Sequence, residues 1–108
     1  MIVDKGDQPN NWIDPSGTGM FVYFLQRGID LGLIKKSEYA PVVARGYKSL
    51  TTFGQVNDRG IVDVVGGGDG ITIKKDYATY VNYKKMVNAK ETVGAFLFGT
   101  FIVEKPKK

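Results

Sequence analysis

The chain has 108 residues, 43% of them hydrophobic and 24% charged, with neither Cys nor His and a formal charge of +4. That balance fits a globular chain and excludes a disordered one. The missing Cys and His exclude disulfides, thiolate nucleophiles, cysteine zinc sites and histidine-based catalytic triads, so acid–base chemistry falls to Asp and Glu, or to Tyr or Lys of shifted pKa.

Length by itself fits one unit, residues 1–108. Lys35-Lys36 and Lys107-Lys108 read as loop or terminal cations, and so small a charge excess predicts no nucleic-acid partner. Met1-Ile2-Val3-Asp4-Lys5 turns charged before a secretory apolar region forms, and no apolar run approaches the ~20 residues of a membrane span. The expectation is a soluble chain with no membrane partner.

Residues 1–13 read as an irregular lead-in rich in turn formers. Asp14-Pro15 then predicts a helix start, with Asp14 or Ser16 as cap and Pro15 at the first helical position. The helix is expected to run to Leu33 and is apolar on every side over Met20–Leu25, while Gly28 and Gly32 would leave one face bare for a close neighbour. A short connection follows with Ser37 as the next cap. Tyr39, Val42, Val43, Gly46, Tyr47, Leu50 and Phe53 keep the i, i+3, i+4, i+7 spacing of an amphipathic second helix, antiparallel to the first.

After Gly54 the period changes. Gly60–Val65 and Gly70–Lys74 read as two short strands around the turn Gly66-Gly67-Gly68-Asp69. A loop bearing Tyr77, Tyr80, Asn82, Tyr83 and Asn88 comes next. The closing segment, Val93–Val103, reads as a helix or a long strand; Glu91 near its start and Glu104-Lys105-Pro106 at its end favour the helix. It too is apolar on all faces. One amphipathic helix and a hairpin cannot cover two such segments, so either self-association or further helices of a larger domain must do so.

The candidate sites divide. Gly66-Gly67-Gly68-Asp69-Gly70 lacks the Lys and hydroxyl of a phosphate loop and the alternating acids of a calcium loop, so no metal and no cofactor are expected. The start of the first helix, with Ser16 and Thr18, either holds a carboxylate or only caps itself. Trp12 is a sugar platform or core, and the tyrosine loop is a binding surface or a core rim.

In order along the chain, Asn11-Trp12-Ile13-Asp14-Pro15-Ser16-Gly17-Thr18-Gly19-Met20-Phe21-Val22-Tyr23 resembles the helix-opening segment of the unsaturated glucuronyl and rhamnogalacturonyl hydrolases, glycoside hydrolase families 88 and 105. Arg27-Gly28-Ile29 with Leu31-Gly32, Tyr39–Val43 with Gly46-Tyr47, Tyr77–Asn82, and Asn88 with Val93–Leu97 are similar to later segments of the same families. The resemblance implies a mainly α fold: the C-terminal part of an (α/α)6 barrel, with three helices and a short β-hairpin excursion. It implies an oligosaccharide partner of rhamnogalacturonan or pectin type, ended by an unsaturated uronic acid whose C4–C5 double bond is hydrated. The family's catalytic aspartate belongs to the N-terminal part of the barrel, so no catalytic residue is expected in this chain.

Carried over residue by residue, Trp12, Ser16, Thr18, Tyr80 and Asn88 are the expected substrate contacts. Asp14 stands where the family usually has Glu, Glu91-Thr92 where it has His-Gly, and Gly66–Gly70 replaces another Gly-rich segment. The alternative is a noncatalytic helical domain that self-associates or binds carbohydrate.

Overall fold

The Asp14-Pro15 signal opens the first helix as its chemistry requires. In the computed structural model, which describes residues 3–68, 70 and 73–106, the Asp14 side chain accepts from the Ser16 backbone N–H, and α1 runs Pro15–Asp30. It stops three residues short of the expected Leu33. Gly32 adopts φ +70°; its N–H donates to the Ile29 carbonyl and that of Leu33 to Gly28, a Schellman motif that ends the helix. Gly32 therefore lies outside the helix, and Gly28 faces Ile34 of the connection. The bare face expected at Gly28 and Gly32 is instead at Gly19, against α4 (Lys90–Glu104).

The second helix, α2, spans Lys36–Thr51 with Lys35 as its N-cap and no side-chain cap, so Ser37 does not cap it. Its apolar stripe does what its spacing predicts: Val43 and Leu50 are buried. Val22, Val43 and Ile102 form a core cluster joining α1, α2 and α4, flanked by Tyr23, Leu25, Ile29, Tyr47 and Val103. The closing segment is the expected helix, with Thr92, Ala95, Gly99 and Ile102 inward.

The mainly α architecture with a small β excursion is as expected, but the strands pair differently. β1 (Gly54–Val56) pairs antiparallel with β2 (Val62–Val64), Gly54 opposite Val64. Asn57 closes this hairpin: its side-chain oxygen accepts from the Arg59 and Ile61 N–H groups, and Gly60 turns the chain at φ +75°. Gly66, at φ +81°, then redirects the chain. The glycines expected in a turn, Gly67 and Gly68, instead form β3, paired with β4 (Lys85–Met86). Asp69 and part of the expected second strand, residues 71 and 72, lie outside the described residues, as do Lys107 and Lys108.

The tyrosine segment is not wholly a loop. Asp76 accepts from the Thr79 N–H and caps a fourth, short helix, α3 (Tyr77–Val81). Among the described residues no helix is long and apolar enough to cross a membrane. The expected burial problem is visible: Phe24 and Phe101 each leave about two-thirds of their surface exposed, and Phe21, Leu97 and Phe98 more than half.

Candidate functional site

The lead-in and the 73–89 segment are remote in sequence, and hydrogen bonds join them. The Trp12 indole N–H donates to the Val81 carbonyl at the end of α3, 3.1 Å away. The Tyr77 hydroxyl donates to the Pro9 carbonyl at 3.1 Å. With its polar tip used in this way, the indole is held in one orientation. Trp12, Lys74, Tyr80 and Tyr83 line one crevice, and Gly68 sits between the Trp12 and Tyr83 rings; a β-carbon there would be 3.6 Å from each.

Two ammonium groups stand over these rings. Lys74 Nζ is 4.2 Å from the Tyr83 centroid and Lys85 Nζ is 5.0 Å from the Trp12 centroid, both within cation–π range. Beside them, hydrogen bonding from Thr79, through its side chain first and its backbone second, holds the Asp76 carboxyl below its ordinary value. Thus Trp12 and Tyr80, inferred separately, come together. Lys74 and Lys85 were missed as members of this group, although the pairs Lys74-Lys75 and Lys84-Lys85 bracket the three tyrosines of the segment.

The other candidates are elsewhere. Ser16 Oγ lies 2.8 Å from each oxygen of the Asp14 carboxylate, which is itself buried. Thr18 Oγ1 donates to the Asp14 carbonyl at 2.9 Å. Both hydroxyls therefore serve the helix start, and Thr18 also borders a groove of about 400 Å³ between α1 and α2, with Phe21, Leu25, Val42 and Arg45. Asn88 bridges the α4 entry to β2. Its Oδ1 accepts from Val64 N–H at 2.8 Å, its Nδ2 donates to Asp63 Oδ1 at 2.9 Å, and its own N–H donates to the Val64 carbonyl.

At the positions that depart from the family pattern, Glu91 is exposed in the first turn of α4. Thr92 is buried against Gly67, and among the described residues its hydroxyl has no hydrogen-bond partner. Among the described residues no group of three or more acidic, Cys or His side chains could hold a metal ion.

The chain is similar over residues 1–105 to the family model described as Glycosyl Hydrolase Family 88. Its fold is similar to a solved glycoside hydrolase of family 105 from C. acetobutylicum ATCC 824, with a TM-score of 0.85 and 22% sequence identity over 96% of this chain. This chain spans 31% of the length of that structure.

Proposed function

Because the chain belongs to Glycosyl Hydrolase Family 88, we propose that it forms the C-terminal part of a helical-barrel hydrolase acting on oligosaccharides ended by an unsaturated uronic acid, of rhamnogalacturonan or pectin type. The family match across residues 1–105 carries this reading, and the meeting of Trp12 and Tyr80 in one aromatic cluster supports it. The reaction is hydration of the C4–C5 double bond: an aspartic acid outside this chain protonates the vinyl ether and activates water, and the resulting hemiketal opens to release the next sugar.

This segment supplies binding surface. Trp12 and Tyr80 flank the substrate with their rings, while Ser16 and Thr18 form the start of α1 at the barrel mouth. Asn88 contributes by holding the α4 entry in place. The exposed faces of α1 and α4 support the barrel reading, because the apolar groove of about 330 Å³ between them, lined by Met20, Tyr23, Phe24, Ala95 and Phe98, leaves large side chains for a further element to cover. Self-association would cover the same surface and predicts a dimer of the isolated chain.

The test is an assay on unsaturated uronyl disaccharides, followed by loss of the double-bond ultraviolet absorbance. A polypeptide joining this segment to the rest of a family 88 barrel should turn them over, and Trp12→Ala should raise KM. The 108-residue chain alone should leave the absorbance unchanged. Turnover by the chain alone would overturn the placement of the catalytic acid, and an inactive but folded complete barrel would overturn the substrate.

A further inference from the structure

The groove between α1 and α2 carries a charge that the groove between α1 and α4 lacks. Along α2, Val42, Arg45 and Ser49 follow one another at spacings of three and four residues and form one wall; Phe21 and Leu25 of α1 form the other. Val22 seats against Gly46, where a β-carbon would stand 2.8 Å from its Cγ2, and so draws the two helices together beneath the groove. Above that floor Phe21 remains 56% exposed and Val42 38%. Arg45 is exposed at the rim, and among the described residues no carboxylate pairs with it. The lining of the α1–α4 groove includes no charged residue, so the two sides of α1 call for neighbours of different chemistry.

Two constraints identify what covers the α1–α2 groove. The backbones of both walls are hydrogen-bonded within their own helices, so neither offers an edge to an extended chain, and the occupant must satisfy its own backbone, as a helix does. Covering Phe21 and Val42 also takes water away from Arg45. A guanidinium stays charged when water is removed, and a desolvated one is costly unless a carboxylate meets it.

We propose that the α1–α2 groove is the seat of an amphipathic helix that sets a carboxylate opposite Arg45, supplied by the part of the barrel outside this chain. The proposal rests on the barrel reading of the preceding section and adds a selecting residue to it. A wholly apolar helix would leave Arg45 buried and unpaired, so the contact that admits the acidic helix excludes the others.

A displayed library of amphipathic helices of about 18 residues, with a leucine stripe and all residue types allowed at the positions flanking it, is selected on the immobilised full chain. Asp or Glu should be enriched at a flanking position at least about tenfold over Gln and Lys. Selection on Arg45→Glu should reverse the preference to Lys and Arg. Val42→Asp should abolish binding of the enriched acidic peptide, with an unchanged circular dichroism melt showing that each variant folds.

Enriched helices without an acidic preference, or the same preference on Arg45→Glu, overturn the role of Arg45. No helix enriched above a surface without the chain overturns the seat itself. A chain that sediments as a dimer, and as a monomer after Val42→Asp, gives the groove to a second copy and overturns the proposal as well. The assay of a complete barrel on unsaturated uronyl disaccharides succeeds or fails independently of all three.

Discussion

Gly99 of α4 lies directly on Gly19 of α1: a β-carbon at position 99 would stand 2.9 Å from the Gly19 carbonyl oxygen and 3.0 Å from its Cα. A β-carbon at position 19 would come 2.6 Å from the Ala95 carbonyl carbon. At Gly19 the nearest atoms are backbone; at Gly99 the β-carbon would also meet Leu50 Cδ2 at 2.7 Å, and Leu50 is fully buried, so neither site has a free side-chain end to displace. Gly94, in the same helix, has nothing within 4 Å of its would-be β-carbon. Gly19→Ala and Gly99→Ala should each destabilise by ~1–3 kcal/mol through overpacking, whereas Gly94→Ala should stabilise by ~0.5–1 kcal/mol through helix propensity. Urea denaturation of the three variants checks this, and a stabilised Gly19→Ala would mean that the helices do not touch here.

That contact marks the boundary of what the sequence could disclose. Local chemistry was legible: Asp14-Pro15 starts a helix, and the α2 stripe places Val43 and Leu50 inward because one period determines one face. Segments apolar all round have no such face, so Gly28 and Gly32 competed with Gly19 and Gly99 on equal terms. The hairpin went astray for a related reason. Glycines at 66–70 outnumber those near Asn57, but the Asn57 side chain supplies the hydrogen bonds that close the turn. Of the candidate site, the individual aromatic residues were legible and their meeting was not, since it depends on the Trp12–Val81 hydrogen bond between segments 69 residues apart.

Asn88 should be sensitive to substitution in two separable ways. It holds φ +55°, and its side chain gives the buried Val64 its N–H partner. Asn88→Ala removes that partner, a loss of ~1–3 kcal/mol, and puts alanine in a left-handed conformation that asparagine tolerates better. Asn88→Gly removes only the side chain and should be the milder variant. Asn88→Asp keeps the acceptor but sets a carboxylate against Asp63, so its deficit should be larger at neutral pH than in acid. Denaturant melts at the two pH values measure both effects; equal stability of the Ala and Gly variants would show that the backbone conformation costs nothing.

The Asp14 carboxylate should contribute as a cap to α1. It accepts from Ser16 N–H at 3.0 Å and from Ser16 Oγ, with the carboxylate buried. Asp14→Ala should cost ~1–2 kcal/mol, and Asp14→Asn, which keeps an acceptor oxygen, well under half of that. Thermal melts read the difference. If Ser16→Ala lowers stability more than Asp14→Ala does, the Ser16 hydroxyl rather than the carboxylate is the element that holds the turn.

The C-terminal end of α4 is tied down by two groups that titrate in opposite directions. Lys105 Nζ lies 2.9 Å from Asp30 Oδ2, and the Lys105 hydrogen bond, followed by that of Gln26, holds the Asp30 carboxyl below its ordinary 3.8. A depressed carboxyl contributes stability above its unfolded value and loses it as pH falls through the lower folded value. With both side chains over a quarter exposed, solvent screening limits the contribution to under ~1 kcal/mol. On the neighbouring face the Tyr47 hydroxyl donates to the Glu104 carboxylate, and that hydrogen bond, aided by burial, raises the phenol above 10.0. Its contribution is complete below 10.0 and disappears as pH climbs through the raised value. Amide hydrogen exchange over residues 100–105, corrected for intrinsic rates, should therefore show weaker protection at both pH extremes than at neutrality. Lys105→Met should abolish the acid limb and spare the alkaline one, and Tyr47→Phe the reverse; an acid limb that persists in Lys105→Met would assign it to a different carboxylate.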